Sequence, residues 1–345
     1  MEDISLAYIW KTELMKSGWD EPSATLVPYS LATSTLSMYD KYINQLYSFC
    51  QDSNSCFPPN NQNVIAHFLC ELAARSNRPK SMLNIALAAL NSLCRASGSY
   101  NPCSDNIRSL CSALVKTHTT LARPRSNILP IQPFNNIFLS WHTNEHLTLK
   151  CLRLKTITLL AFSFMLRPSD IAPKGVIYDD DSNAFNQLIF GRRQVQFNVD
   201  GSLTLIFMGI KNDTSREGFQ VTIPKSNNDK LDPVGALKTY MERTKSPNST
   251  PSDPVFVSLN RPFGPISAKT VASILNEAIK LAGLDCTMYS AKSFRPSGAT
   301  RSVESGLDPD KARRIGRWKT STVFFEHYVH DKTPSNYTNN MFDCN

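Results

Sequence analysis

The apolar positions in the N-terminal third of the chain recur at the spacing of an α-helix. Over Thr33–Cys50, residues such as Leu36, Ile43 and Leu46 fall on one face, which predicts an amphipathic helix. The same spacing predicts further helices at Asn63–Arg75, Pro79–Ala96 and Ser104–Lys116, and a peripheral helix around Leu6–Met15. Because Pro79–Ala96 is apolar on nearly all sides, we expect it to be the buried centre of a small bundle.

The helical pattern then stops. Thr117–Gln132 holds two prolines, two arginines and several hydroxyl residues, a composition typical of a connecting segment. We therefore predict a helical domain over 1–118, a linker over 119–132 and a second domain over 133–345. Arg123 and Arg125 would lie in the linker, either solvated or near a phosphate backbone.

The second domain mixes helical and extended patterns. Its predicted helices are Pro133–Asn144, Leu147–Met165, Pro233–Thr244, Ala268–Ala282, Ser293–Gly306, Pro309–Ile315 and Ser321–Val329, and its predicted strands are Gln187–Phe190, Arg193–Val199, Ser202–Ile210 and Gly218–Ile223. The pair Asp200-Gly201 between alternating apolar residues predicts a hairpin. The fold class expected is mainly α with a small antiparallel β-sheet (α+β), in a chain long enough for two separate cores.

Composition and charge narrow the class of protein. The net charge is +8, and this permits binding to nucleic acid without requiring it. No apolar run is long enough for a membrane span, and the acidic start MEDISLAYIW lacks the features of a signal peptide. The nine cysteines are scattered without a CxxC pair, so we expect reduced thiols and neither a disulfide framework nor a metal site. An intracellular protein follows, in the nucleus of a eukaryotic host or otherwise in the cytoplasm.

Three clusters of candidate functional residues lie in the second domain. Arg167 follows an apolar helix and stands three residues before Asp170. Lys292 and Arg295 are three residues apart at a predicted helix start, so their side chains should lie on the same side. Two cations beside the free amides of a helix start could bind a phosphate. The third cluster, IGRWKTSTVFFEHYVH, holds a tryptophan and a tyrosine at 318 and 328. Each cluster, taken alone, also has an ordinary structural explanation. The first is typical of an arginine that caps a helix, the second of a chance pair of cations, and the third of aromatic side chains in the core.

The order and spacing of these clusters resemble the signature of the tyrosine recombinase (phage integrase) family. Arg295, Trp318 and Tyr328 are separated by close to the family's usual distances. Lys211, between the strands ending at Ile210 and starting at Gly218, matches the lysine that the family carries in a β-hairpin. The resemblance covers nearly the whole chain, because the predicted N-terminal helices are similar to the family's four-helix core-binding (SAM-like) DNA-binding domain.

The resemblance implies a chemistry for each matched residue. Tyr328 would be the nucleophile that attacks a DNA phosphate and forms a 3′-phosphotyrosyl link. Arg167 and Arg295 would hold the non-bridging oxygens, and Lys211 would protonate the leaving 5′-oxygen. Trp318 would pack beside the phosphate. No metal and no cofactor is implied.

Two positions keep alternatives open. Lys292 stands where the family usually has histidine, and lysine is a poor proton acceptor at neutral pH, so His327 or His330 is an alternative acceptor. Tyr337, in the turn-like segment TPSNYTNN, is a second candidate for the nucleophile.

The function implied is site-specific DNA recombination, for the integration or excision of a mobile element. The motifs SFRPSGATR and GRWKTS resemble those of recombinases from Crypton or DIRS-like transposable elements. The implied partner is double-stranded DNA, bound by a homo-tetramer on paired sites, with self-association through Thr333–Asn345. The alternatives are a domesticated DNA-binding protein that kept the fold and lost the chemistry, and a type IB topoisomerase.

Overall fold

The computed structural model describes residues 4–99, 104–119, 127–179, 184–210, 213, 217–260 and 263–329. The chain forms two compact units, Met1–Pro124 and Arg125–Asn345, each with its own apolar core. Among the residues described, no helix has both the length and the apolar character that a membrane span requires.

In its described residues, the first unit contains helices and no strand. Its helices are α1 (Leu6–Lys16), α2 (Glu21–Leu26), α3 (Thr33–Asp52), α4 (Gln62–Ala74), α5 (Lys80–Ser97) and α6 (Asp105–His118). Helix α5 packs against α1, α3, α4 and α6 and buries Leu83, Leu90 and Leu93. The prediction that this helix forms the centre of the bundle is therefore confirmed.

The predicted helix around Leu6–Met15 is observed as α1, which packs on the bundle through its first residue. Leu6 is completely buried, and α1 packs against both α3 and α5. The Asp40 carboxylate accepts a hydrogen bond from the Leu6 amide at 2.7 Å, and the Asn44 side chain accepts one from the Ile4 amide at 2.8 Å. These two side chains of α3 satisfy amides at the start of α1 that have no partner within their own helix.

The second unit combines seven helices with two small sheets in its described part. The helices are α7 (Gln132–Ser140), α8 (Leu149–Ser163), α9 (Pro233–Arg243), α10 (Ala268–Leu281), α11 (Phe294–Glu304), α12 (Pro309–Ile315) and α13 (Ser321–His327). The strands are β1 (Lys174–Asp179), β2 (Ala184–Leu188), β3 (Val195–Phe197), β4 (Leu203–Phe207) and β5 (Phe219–Ile223). Short 3₁₀ turns include Pro168–Ile171 and Ala291–Ser293. The predicted fold class, mainly α with small antiparallel sheets, is confirmed.

Helix α8 forms the centre of this unit, with α9, α10 and α11 packed around it. Burial extends around the whole helix and includes the side chain of Lys155, whose ammonium donates to the Asn144 amide oxygen at 2.8 Å. Burial lowers the pKa of Lys155 to about 8, because the charged form loses its hydration.

The strands form two separate antiparallel sheets. The sheet β3-β4-β5 contains the predicted hairpin, in which Gly201 adopts a φ of 80° between paired strands. The predicted strand Gln187–Phe190 was displaced: the observed β2 ends at Leu188 and pairs with β1, which the sequence did not predict. The strands β1 and β2 are antiparallel and are separated in sequence by residues 180–183, which lie outside the described residues.

The contact between α11 and α8 requires glycine at position 298. A Cβ atom there would collide with the backbone carbonyl oxygen of Phe162, which cannot move without unwinding the end of α8.

We predict that Gly298→Ala lowers the free energy of unfolding by about 1–3 kcal/mol, the usual cost of overpacking. Chemical denaturation measures this. Glu304→Ala, at an exposed position of the same helix, should change it by less than about 0.5 kcal/mol. Equal effects of the two substitutions would contradict the close packing.

Candidate active site

Helix α8 ends in a left-handed turn that releases Arg167 from the core. Met165 has a φ of 50°, and the Leu166 amide donates back to the Ala161 carbonyl at 3.1 Å. This is the Schellman pattern by which helices end, with methionine in the place that glycine usually takes. Arg167 follows, half-buried, and its amide donates to the Asp170 carboxylate at 2.9 Å.

Helix α12 ends in the same way. Arg317 has a φ of 60°, and the Trp318 amide donates to the Arg313 carbonyl at 3.1 Å. Glycine is required at 316 because a Cβ atom there would overlap the ring of Trp318. The indole therefore folds back over the end of its own helix, where it is buried.

Arg295, on the first turn of α11, joins the ends of these two helices. Its Nη1 donates to the Met165 carbonyl and its Nη2 donates to the Gly316 carbonyl. The guanidinium carbon lies 4.0 Å from the centre of the Trp318 ring, which is cation–π geometry. Only 3% of Arg295 is exposed, so this cation depends on its surroundings for stabilisation.

Asp170 is the anion of the cluster. One of its carboxylate oxygens, Oδ2, accepts from the Arg317 guanidinium at 2.8 Å and lies 4.0 Å from the Arg295 guanidinium. Burial alone would raise the pKa of Asp170, but Arg317 and Arg295 outweigh burial and lower it, so the carboxylate stays ionised. Burial and the neighbouring cations lower the pKa of Arg295 to about 9, which still leaves it charged at neutral pH.

Tyr328 lies directly after α13, whereas the sequence predicted that it would lie within this helix. Its ring centre is 4.6 Å from that of Trp318 and 5.5 Å from the guanidinium carbon of Arg295. Burial tends to raise the pKa of Tyr328, but the charges of Arg167 and Arg295 and a hydrogen bond from Arg167 lower it below its usual value. The phenol therefore ionises more readily than that of a free tyrosine.

Two buried donors of the cluster point to an anionic ligand. Among the residues described, neither Nε of Arg295 nor the indole Nε1 of Trp318 has a hydrogen-bond partner of normal geometry. The indole N–H still contributes to the lowered pKa of Tyr328, since it lies near the phenol without reaching that geometry. Unpaired donors beside buried cations are costly unless a ligand such as a phosphate oxygen engages them.

The structure thus brings four of the six predicted site residues together: Arg167, Arg295, Trp318 and Tyr328. Lys292 was expected to face the same way as Arg295, yet it is exposed while Arg295 is buried. The reason is that Lys292 lies in the 3₁₀ turn Ala291–Ser293, before the helix that carries Arg295 begins.

Several predicted residues lie outside the described part of the chain. These are Lys211, His330, Tyr337, Arg123, Arg125 and the segment Thr333–Asn345. His327 ends α13, but its side chain is likewise not described.

Sequence reasoning missed two cations of the cluster. Arg317, between Gly316 and Trp318, is paired with Asp170. Lys174 opens β1, and its ammonium donates to the Asp170 carbonyl at 3.0 Å, while burial lowers its pKa to about 8. The contact of Lys174 could have been predicted, because a basic residue four positions after Asp170 is visible in the sequence. The pairing of Arg317 with Asp170 could not, because the two residues are distant in sequence.

Residues 195–334 match the model of the phage integrase family. The match covers the greater part of the second unit of the chain. It is similar to the integrase/recombinase XerD homologue of Selenomonas ruminantium, with 24% identity over 301 residues, covering 85% of this chain and 81% of the relative.

Two solved structures share the integrase-family fold with this chain. A lambda integrase (75–356) dimer bound to a COC′ core site aligns with a TM-score of 0.52 at 15% identity, covering 95% of this chain and 97% of that one. The Tn1549 transposon integrase (82–397) in complex with circular intermediate DNA aligns with a TM-score of 0.52 at 11% identity, covering 99% and 100%.

The lowered pKa of Tyr328 gives a prediction for this site that can be tested without DNA. We predict that Arg167→Gln raises the pKa of Tyr328, because a positive charge and a hydrogen bond that favour the phenolate are lost. Ultraviolet absorbance titration, as the difference between each protein and the same protein carrying Tyr328→Phe, isolates this phenol. Arg193→Gln, at an exposed arginine of the same unit, should leave the titration unchanged. An unaltered midpoint in Arg167→Gln would contradict the assigned electrostatics.

Proposed function

We propose that this chain is a site-specific DNA recombinase that cleaves and rejoins strands through a phosphotyrosyl link at Tyr328. The observation that carries the proposal is the placement of Tyr328 against Trp318 and Arg295, with a pKa lowered by Arg167 and Arg295. Cations around a phenol favour its ionised form and attract an anionic substrate, and both effects suit attack on a phosphate. A tyrosine that only fills the core does not require nearby cations.

In the proposed reaction, the phenolate oxygen of Tyr328 attacks the phosphorus atom, and the bond to the 5′-oxygen breaks. The 3′-phosphate stays linked to the tyrosine, and the 5′-oxygen leaves as a hydroxyl after taking a proton. We assign that proton to Lys211, which lies between β4 and β5 in sequence. Rejoining reverses the step, because a 5′-hydroxyl attacks the link and releases the phenol.

Arg167 and Arg295 would stabilise the charge that develops on the non-bridging oxygens. A preorganised cation is effective because no reorganisation is needed when the charge appears. The donors Nε of Arg295 and Nε1 of Trp318 are available for the same oxygens. The lowered pKa of Tyr328 reduces the demand on a proton acceptor, for which we keep Lys292, His327 and His330 as candidates.

The remaining assignments rest on sequence and on relatives. We assign DNA contact to the helical domain 1–118 as well as to the catalytic domain 133–345, joined by the linker 119–132, and the net charge of +8 supports DNA as the partner. Lambda integrase and the Tn1549 integrase were both solved with DNA, the former as a dimer. These relatives support a homo-oligomer and a role in moving a genetic element. The proposed location is the nucleus in a eukaryotic host and otherwise the cytoplasm.

The direct test is capture of the covalent link. The probe is a set of nicked duplexes tiled across the DNA that flanks this reading frame, in which a short strand is lost after cleavage so that rejoining fails. We predict an adduct that resists detergent and is removed by protease. Tyr328→Phe should abolish the adduct, and Arg295→Gln should slow its formation by roughly 10²–10³-fold, as for other preorganised donors.

The controls separate the alternatives. Tyr337→Phe should leave the adduct intact; its loss there would move the nucleophile to Tyr337. Site-specific binding without any adduct would favour the DNA-binding protein that has lost its chemistry. Relaxation of supercoiled DNA with no site preference would favour a type IB topoisomerase.

A further inference from the structure

Arg317 is the most enclosed cation of the site, and its position is conformationally costly. Its side chain is completely buried, and its backbone φ of 60° is a region that residues other than glycine rarely occupy. Such a conformation is strained and persists only where surrounding contacts require it. We therefore looked for a reason why a buried arginine, and not glycine, occupies position 317.

The contacts of Arg317 hold its guanidinium in one place. Nη1 donates to the carbonyls of Phe164 and Ile315 at 3.1 Å and 3.0 Å, and Nη2 donates to Asp170 at 2.8 Å. The guanidinium carbon lies 4.1 Å from the centre of the Phe207 ring, at the end of β4. The charges that lower the pKa of Tyr328 come from Arg167 and Arg295. Any effect of Arg317 on the phenol is therefore indirect.

The two distances to Asp170 suggest what Arg317 does. Arg317 forms the direct ion pair at 2.8 Å, while Arg295 lies 4.0 Å from the same oxygen. Lys174 donates to the backbone carbonyl of Asp170, so without Arg317 the nearest guanidinium to the carboxylate would be that of Arg295. The carboxylate would then draw Arg295 into a direct ion pair. Arg295 would then move away from the Met165 and Gly316 carbonyls, with its charge neutralised by Asp170.

We propose that Arg317 is a positioning residue that neutralises Asp170, so that Asp170 can hold Arg167 while the charge of Arg295 remains available to the DNA phosphate. The inference rests on the proposed function, since it concerns the same phosphate. Asp170 keeps its hydrogen bond to the Arg167 amide, and Arg317 supplies the compensating charge that a buried carboxylate needs.

The experiment compares three variants: Arg317→Met, Arg317→Lys and the double variant Arg317→Met/Asp170→Asn. For each, the rate of covalent adduct formation is measured with the nicked duplex at saturating protein, per folded molecule, across pH. We expect Arg317→Met to slow cleavage by roughly 10- to 100-fold, somewhat less than loss of a donor that touches the phosphate. DNA affinity should change little.

Two further results are expected if Arg317→Met slows cleavage because it leaves the charge of Asp170 uncompensated. The double variant should regain most of the lost rate, because no uncompensated carboxylate then competes for Arg295. The pH profile of Arg317→Met should shift to higher pH, since a neutralised Arg295 no longer lowers the pKa of Tyr328, and the double variant should shift it back. Arg317→Lys, which keeps the charge, should be faster than Arg317→Met.

The inference would be overturned if folded Arg317→Met cleaved at the wild-type rate with an unshifted pH profile, or if the double variant were as slow as the single one. Should Arg317→Met not fold, a slow Arg317→Lys with an unshifted pH profile would likewise overturn it. These outcomes differ from failure of the proposed function, in which the wild-type protein itself forms no adduct.

Discussion

A guanidinium cation withdrawn from water must be compensated by the groups around it, and Arg295 is compensated where two helices end. The carbonyls of Met165 and Gly316 accept from its two terminal nitrogens, and Asp170 lies nearby. Because helix C-termini carry partial negative charge, the ends of α8 and α12 both favour a cation there. Both helices end in left-handed turns without glycine at the left-handed position, so backbone strain is tolerated at each of them.

The position of Arg295 determines the rest of the site. Since its bonds reach one residue just after α8 and another just after α12, Arg295 ties the segment before Arg167 to the segment that carries Trp318. The indole then stacks on Arg295 and on Tyr328, and this stacking requires the absence of a side chain at Gly316. Tyr328, which lies in no regular element, is thereby held beside a charge that favours its phenolate form.

The sequence allowed accurate prediction where the determining forces are local. Helical periodicity located α5 and α8, and Asp200-Gly201 located the hairpin, because turn chemistry depends on adjacent residues. The grouping of Arg295 with Tyr328 came from order and spacing. The pairing of Arg317 with Asp170 was not predictable, since it joins residues 147 apart through a left-handed helix end. The exposure of Lys292 depends on the residue at which α11 begins, and element boundaries are the least certain part of sequence reasoning.

The most direct test of this account asks whether the charge of Arg295 serves the phosphate. The measurement is cleavage by Arg295→Ala of two duplexes, one normal and one with an uncharged methylphosphonate at the cleaved position. If Arg295 neutralises phosphate charge, the variant should be nearly inactive on the normal duplex and should recover substantially on the neutral one, where that charge is already absent. Equal inactivity on both duplexes would contradict the account, because it would mean that Arg295 holds the fold together without acting on the phosphate.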